Sequence, residues 1–207
     1  MILHIIDQNI YEVNVIMNPS KKHLFIAVPL PDSIKLHISD WCQQIQKQLS
    51  FKKWIFPSDY HITVKFLGGV DKDTVVKLKP LIGQIASEQS AFSLTVEGLG
   101  TFGKSGSPRI LWTGIRGEIS PLHVLQKNID RSTESLGFVS ENRPYTPHLT
   151  LAKNYTGKAA YETQFLDQAA SHQPTPLNWE VNEIVLYQTH LGREPMYEPL
   201  ETFSFGQ

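Results

Sequence analysis

Hydrophobic residues along the chain are spaced in two ways, one with the period of a helix and one with the period of a strand. Within residues 31–50, apolar side chains recur three or four positions apart, which predicts a helix with one buried face. Similar spacing predicts further helices at 71–90, 118–137 and 159–170. Short apolar runs bounded by turn-forming residues predict strands between these helices. The predicted strands cover 23–30, 59–68, 92–103, 109–115, 147–154, 177–189 and 197–205.

The same order of elements occurs twice along the chain. An offset of 87 residues, without any gap, places the stretch HITV, which begins at His61, on HLTL, which begins at His148. The same offset places Phe25 on Trp112. A repeat of this kind predicts an α+β fold of two β-α-β-α-β units, arranged as two lobes about a pseudo-twofold axis. The pattern leaves open whether neighbouring strands run parallel or antiparallel.

Composition and charge narrow the class of protein. The 207 residues are 41% hydrophobic and 19% charged, which is typical of a soluble globular protein with a core. The net charge of −1 argues against a protein that binds duplex DNA regardless of sequence, although a local basic cleft stays open. No apolar run approaches the ~20 residues that a membrane span needs. The single cysteine, Cys42, excludes an internal disulfide and fits a cytoplasmic location.

The first residues differ from the rest of the chain. They lack the basic start and the cleavage site of a signal peptide, and Met17 begins a stretch that is more typical of a protein start. We therefore expect residues 1–20 to be an extension whose first sixteen residues are dispensable and not native. Residues 21–207 are expected to form a single bilobal domain, with a monomer as the default oligomeric state.

The strand that contains the first motif has one polar and one apolar face. Alternation along the strand puts His61, Thr63 and Lys65 on the same side. The apolar residues between them, together with Phe66, are predicted to face the core. The polar side must then face water, a ligand or a satisfied hydrogen-bond network.

The two motifs together suggest acid–base chemistry. A pseudo-twofold axis brings the two histidines into one cleft, with Thr63 and Thr150 beside them. One imidazole can then accept a proton while the other donates one, as displacement at a phosphoester requires. The hydroxyls can donate to phosphate oxygens, and Lys153 either assists as a cation or is a solvated charge at a strand end. Zinc is disfavoured because the sequence has no HxxxH, HExxH or CxxC spacing.

Both motifs and their flanks resemble a known family. HITVKFLG and PHLTLAK are similar to the paired motifs of the two-histidine (2H) phosphoesterase superfamily. Similarity to one branch, the RNA 2′,3′-cyclic phosphodiesterases historically called 2′-5′ RNA ligases, is carried by HLFIAVPLP, FGKSGSPRILWTGI, RPYTPHLTLAK and YQTHLGREPMYEPL. The resemblance covers roughly Lys22 to Phe205. It implies a bilobal fold with antiparallel sheets that line a central cleft, and a reaction that needs no metal or cofactor.

The resemblance also implies a substrate and a role for each motif residue. The substrate is an RNA end or a nucleotide with a 2′,3′-cyclic phosphate, which is opened to leave a 2′-phosphate. His61 then donates a proton to the departing 3′ oxygen, and His148 accepts one from water. Thr63 and Thr150 hold the phosphate. Because the halves are pseudo-symmetric, the residues alone leave the order of the two histidines open.

The chain departs from the family pattern at two positions. Lys153 stands where family members commonly have arginine. Lysine binds phosphate as a point charge, whereas the arginine guanidinium can donate two parallel hydrogen bonds. Thr189 stands where serine is frequent, and this change keeps the hydroxyl.

Several further residues are candidates for contact with RNA. Aromatic side chains that either stack on a base or belong to the core are Trp54, Phe56, Tyr145 and Tyr197. Arg109 and Arg143 either contact backbone phosphates or remain surface charges. Two other functions stay open, namely a phosphodiesterase or ligase acting on 2′-5′-linked oligonucleotides at the same site, and an RNA-end binding module without catalysis.

Overall fold

A computed structural model of the protein describes most of the chain. Described are the backbone of residues 2–6 and 12–16, and the backbone and side chains of residues 21–157, 161, 166, 169 and 177–206. The predicted helix at 159–170 therefore lies almost entirely outside the described residues. The strands are β1 (Ile2–Ile6), β2 (Glu12–Ile16), β3 (Lys22–Pro29), β4 (Phe51–Trp54), β5 (His61–Val70), β6 (Phe92–Lys104), β7 (Ser107–Gly117), β8 (His148–Tyr155), β9 (Leu177–Val181), β10 (Glu183–Thr189) and β11 (Tyr197–Ser204). The helices are α1 (Asp32–Ile45), α2 (Lys72–Ser87) and α3 (Ile119–Glu134), with a short 3-10 helix at Pro57–Asp59.

Two antiparallel sheets form the body of the protein. The first sheet has the order β11-β10-β3-β5, and the second sheet has the order β4-β8-β7-β6-β9. In the first sheet β5 pairs with β3, just as β8 pairs with β7 in the second, so the two histidine motifs occupy corresponding places. This arrangement confirms the predicted α+β bilobal fold with pseudo-twofold symmetry and settles the strand direction as antiparallel. β1 and β2 form a separate antiparallel pair.

The two halves of the chain exchange strands between the sheets. β4 precedes β5 in sequence but pairs with β8 at the edge of the second sheet. β9 and β10 are separated by Asn182 alone, yet β9 lies beside β6 and β10 lies beside β3. The segment 177–189, predicted as strand, therefore supplies one strand to each sheet. Both exchanges tie the lobes together on either side of the cleft.

Local sequence signals explain where several elements begin and turn. The carboxylate of Asp71 accepts a hydrogen bond of 2.8 Å from the backbone N–H of Thr74, which caps the start of α2. β6 and β7 join through a tight turn in which Lys104 faces Ser107. Gly106 in this turn has a φ of 82°, which a residue without a side chain adopts at little cost. None of the described helices combines the length and apolarity needed to cross a membrane.

Each motif strand contains a β-bulge just after its threonine. Val64 on β5 has no opposite residue on β3, and Leu151 on β8 has no opposite residue on β7. An extra residue shifts the alternation of side chains by one position. Phe66 therefore faces the cleft with 36% exposure, and the prediction that it faces the core is wrong. The matching shift on β8 turns Lys153 into the cleft.

A buried ion pair connects the first sheet to the second half of the chain. The ammonium of Lys65, on β5, donates to the carboxylate of Asp130 on α3 and, at 3.0 Å, to the carbonyl oxygen of Val139. Both charged side chains are buried. A buried charge is tolerated only when it is paired and hydrogen-bonded, so these contacts fix β5 against the segment that leads to β8.

We expect Asp130→Ala to destabilise the protein by about 3–5 kcal/mol, because it leaves the Lys65 ammonium buried without its counter-charge. Urea unfolding followed by tryptophan fluorescence measures the loss. The double variant Lys65→Met/Asp130→Leu is expected to recover most of it, since no charge then stays buried. Asp32→Ala, which removes an exposed carboxylate 3.3 Å from Lys35, is the control and should cost less than about 1 kcal/mol. A similarly small loss in Asp130→Ala would contradict the assignment.

Candidate functional site

A cleft of about 730 Å³ lies between the two sheets. β5 supplies His61 and Thr63 from the first sheet, and β8 supplies His148 and Thr150 from the second. The structure therefore brings together the four motif side chains that the sequence placed 87 residues apart.

The backbone fixes the orientation of both imidazoles in the same way. Nδ1 of His61 lies 2.7 Å from the carbonyl oxygen of Asp59, and Nδ1 of His148 lies 2.8 Å from that of Thr146. A carbonyl oxygen can only accept, so each Nδ1 carries a proton and donates it. In the neutral ring, Nε2 then keeps a lone pair. Each contact spans two residues, so the two halves use the same local device.

The Nε2 atoms of the two rings have different surroundings. Nε2 of His61 lies 3.0 Å from Oγ1 of Thr63, whose hydroxyl donates to the neutral ring. Nε2 of His148 has no hydrogen-bond partner among the described residues, whereas its Nδ1 is occupied. The two imidazoles thus differ in how readily Nε2 can interact with a molecule in the cleft.

Burial disfavours the charged form of both imidazoles. Loss of hydration, together with the smaller effects of the Lys153 and His148 charges, lowers the pKa of His61 to about 4, and the hydrogen bond to the Asp59 carbonyl opposes this shift. Burial also lowers the pKa of His148. A bound anion would raise the pKa of each ring by favouring the imidazolium.

Aromatic rings hold the His61 side chain in place. The ring centroid of Phe25 lies 4.8 Å from that of His61, and the ring of Tyr197 meets His61 edge-on at 5.0 Å and 90°. Tyr197 is itself anchored by Asp59, whose carboxylate accepts the backbone N–H groups of Met196 at 2.9 Å and Tyr197 at 3.0 Å. Asp59 therefore supports the His61 ring through its backbone carbonyl, and it holds Tyr197, which packs on that ring, through its carboxylate.

A second aromatic group surrounds His148. Phe102 meets this ring edge-on with centroids 4.9 Å apart, and the indole of Trp112 lies 6.0 Å away. Trp112 packs over Gly100, where a Cβ atom would come within 2.2 Å of the indole. Glycine at this position is therefore required for the indole to lie where it supports His148.

Lys153 and Lys53 line the cleft beyond the threonines. They face each other on β8 and β4. Burial, together with the smaller effect of the Lys53 charge, lowers the pKa of Lys153 to about 8, and the charge of Asp59 partly offsets this shift. Two cations thus lie side by side in a partly buried place.

Tyr145 and Arg143 line a smaller cavity of about 200 Å³ that adjoins the cleft. The Tyr145 hydroxyl donates a hydrogen bond of 2.9 Å to the carbonyl oxygen of Thr63. Tyr145 therefore braces the backbone of the first motif and does not line the main cleft. Arg143 is exposed at the rim of the smaller cavity.

Some of the remaining sequence candidates line the cleft and others do not. Tyr197 and Thr189 line the cleft. Trp54 packs against the core, where it meets Phe51 edge-on, and does not line the cleft. Phe56, which is 40% exposed, and Arg109 do not line the cleft.

Sequence reasoning missed several cleft residues, and Phe66, Lys53 and Phe102 show why. Phe66 was assigned to the core because the bulge that turns it outward leaves no local signal. Lys53 belongs to a short strand that is recognised only by its pairing with β8. Phe102 lies near the end of a long strand, and its contact with the ring of His148 joins residues far apart in the sequence.

The arrangement is suited to transferring protons around a bound anion. Two neutral imidazoles can each exchange a proton through Nε2, and two hydroxyls and two ammonium groups can donate to anionic oxygens. Among the described residues, no three His, Cys, Asp or Glu side chains are placed to hold a metal ion.

Comparison with known proteins agrees with this geometry. Residues 24–193 match the family model of the 2′-5′ RNA ligase superfamily. A protein of Geobacillus stearothermophilus named RNA 2′,3′-cyclic phosphodiesterase is 36% identical over 88% of this chain, which spans 57% of that protein's length. One of the same name from Bacillus subtilis is 32% identical, and the match covers 90% of this chain and 98% of the relative.

A solved structure shares the fold over nearly the whole chain. E. coli LigT complexed with 3′-AMP superposes with a TM-score of 0.73 at 26% identity, covering 90% of this chain and 99% of LigT. The resemblance seen in the motifs is thereby confirmed in both sequence and fold. This chain belongs to the 2′-5′ RNA ligase superfamily.

Proposed function

We propose that this protein hydrolyses 2′,3′-cyclic phosphates on RNA ends or nucleotides to 2′-phosphates, by paired-histidine catalysis that needs no metal. The observation that carries the proposal is the pair of imidazoles in one cleft, each with Nδ1 committed to a backbone carbonyl. This leaves both Nε2 atoms for proton transfer. The names of the curated relatives, and the nucleotide bound to LigT, support this substrate class.

In the proposed reaction His148 acts as the base. Its Nε2 has no hydrogen-bond partner among the described residues, so it can take a proton from a water molecule. The water oxygen attacks the phosphorus and forms the new P–O bond, while the bond from phosphorus to the 3′ oxygen breaks. The 2′ oxygen keeps the phosphate.

His61 acts as the acid in the same step. The charge of the bound cyclic phosphate raises the pKa of His61 above its value of about 4 in the free protein, so the ring becomes an imidazolium. Its Nε2–H then gives a proton to the departing 3′ oxygen. The Thr63 hydroxyl, freed from the ring, donates with Thr150 to the non-bridging oxygens, where negative charge increases.

The assignment of product rests on a direct test. A nucleoside 2′,3′-cyclic phosphate is incubated with the protein in EDTA, and the phosphate position in the product is identified by NMR. The proposal expects the 2′-phosphate. A 3′-phosphate would mean that the bond from phosphorus to the 2′ oxygen breaks, which contradicts the proposed step. If only 2′-5′-linked oligonucleotides are cleaved, the substrate is a 2′-5′ linkage and not a cyclic phosphate. Tight binding without product would identify an RNA-end binding module.

We expect His61→Ala and His148→Ala each to lower kcat by about 10²- to 10⁴-fold, the range for removal of a general acid or base. Initial rates are measured in EDTA, and circular dichroism checks that each variant is folded. His37→Ala is the matched control, because His37 also pairs its Nδ1 with a backbone carbonyl, at 2.7 Å, but lies outside the cleft. Full activity in either cleft variant, or loss of wild-type activity in EDTA, would refute the mechanism.

The lowered histidine pKa values predict an acidic optimum of kcat/KM. The value of kcat/KM is proportional to the fraction of free enzyme in which one ring is protonated and the other is neutral. The pKa of His61 is lowered to about 4 and that of His148 is lowered from 6.5, so kcat/KM should peak below pH 6.5. Above the higher pKa it should fall about tenfold per pH unit, as the acid loses its proton.

The profile of kcat should peak at a higher pH than that of kcat/KM, because bound phosphate raises the pKa of both rings. Initial rates with a nucleoside 2′,3′-cyclic phosphate across the pH range measure both profiles. A kcat/KM that still rises through neutral pH would contradict the predicted direction of the shifts.

A further inference from the structure

Two lysines face each other across neighbouring strands inside the cleft. Lys53 on β4 is in register with Lys153 on β8, and both line the cleft. The bulge at Leu151 turns Lys153 to this side. Like charges directly opposite each other on adjacent strands destabilise a sheet, so their pairing in a partly buried place requires a reason.

Among the described residues, no carboxylate forms an ion pair with either lysine. Among the described residues that line the cleft, Asp59 is the only carboxylate, and both its oxygens accept backbone N–H groups from Met196 and Tyr197. Burial and the mutual repulsion lower the pKa of Lys153 to about 8, and a bound anion would reverse the shift.

Lys53 lies farther from the reacting phosphate than Lys153 does. The charge of Lys153 lowers the pKa of His61, so its ammonium acts on the ring at the catalytic centre. Lys53 lies on β4, the edge strand beyond β8, and neighbouring strands are about 4.8 Å apart. Lys53 and the histidines therefore occupy two parts of one cleft. A ligand that fits both parts carries two anionic groups separated by a short spacer.

We propose that Lys53, beside Lys153, forms a second phosphate subsite, which binds the phosphodiester on the 5′ side of the nucleotide that carries the cyclic phosphate. This inference rests on the proposed function. An RNA chain has such a phosphodiester one ribose away from its cyclic end, whereas a nucleoside 2′,3′-cyclic phosphate has none. The subsite thus selects RNA ends over single nucleotides, through charge and without reading the base.

The test compares two substrates that differ by one phosphate. The first is adenosine 2′,3′-cyclic phosphate, and the second is the same nucleotide with a methyl phosphodiester at its 5′ oxygen. We expect the wild-type KM to be about tenfold lower for the second, as a charge-assisted contact predicts. Lys53→Gln should abolish most of this advantage. In the same variant, KM for the first substrate should rise less than threefold over the wild-type value, since this substrate has no phosphate for the subsite.

Two further variants separate charge from packing. Lys53→Arg keeps the cation and should restore the advantage of the 5′ phosphate. Lys52→Gln removes the neighbouring lysine, which is exposed and does not line the cleft, and should leave both KM values as in the wild type. Salt adds an independent readout with a single-stranded oligonucleotide that ends in the cyclic phosphate, because losing one lysine–phosphate contact lowers the slope of log KM against log salt by about 0.7.

The outcomes distinguish this inference from the proposed function. Equal wild-type KM values, an equal rise for both substrates in Lys53→Gln, or the same effect in Lys52→Gln would overturn the subsite while leaving hydrolysis intact. If the wild type turns over neither substrate, the proposed function fails. Calorimetric binding of the adenosine 2′-phosphates, with and without the 5′ methyl phosphodiester, then still decides the subsite, since only a real subsite makes Lys53→Gln weaken the second ligand selectively.

Discussion

The hydrogen bond from each imidazole Nδ1 to the carbonyl two residues earlier is the contact on which the site depends. It fixes the tautomer of both rings, so the unprotonated nitrogen faces the cleft. The aromatic rings around each histidine, the carboxylate of Asp59 and the brace from Tyr145 all keep the motif backbone where this contact can form. The same burial that protects these bonds from water lowers the pKa of both rings, so geometry and proton affinity have one origin.

The sequence was sufficient for the parts of the structure that are encoded locally or repeated. Helical spacing predicted α1, α2 and α3, and strict alternation on one face of each motif predicted that His61 and Thr63 project together. The repeat then implied a second, matching pair. The antiparallel pairing and the family came from the resemblance of the motifs, because periodicity alone carries no information about strand direction.

Other parts depend on contacts between distant residues, which no local pattern contains. The bulges at Val64 and Leu151 arise from register with β3 and β7, and they reverse the side on which Phe66 and Lys153 lie. Lys53 enters the cleft only because β4 crosses to the other sheet. Burial of Lys65 as half of an ion pair likewise requires a partner 65 residues away. In each case a tertiary pairing overrides the simple alternation along the strand.

The exchange of strands between halves has a consequence for biosynthesis. β3 ends at Pro29, yet its second neighbour, β10, begins only at Glu183. At ~5–20 residues per second, a ribosome needs roughly ten to thirty seconds to add the intervening chain. Throughout that time one edge of an almost entirely apolar strand has no partner, and such edges recruit strands of other chains. The nascent protein therefore exposes this edge until its last strands have been synthesised.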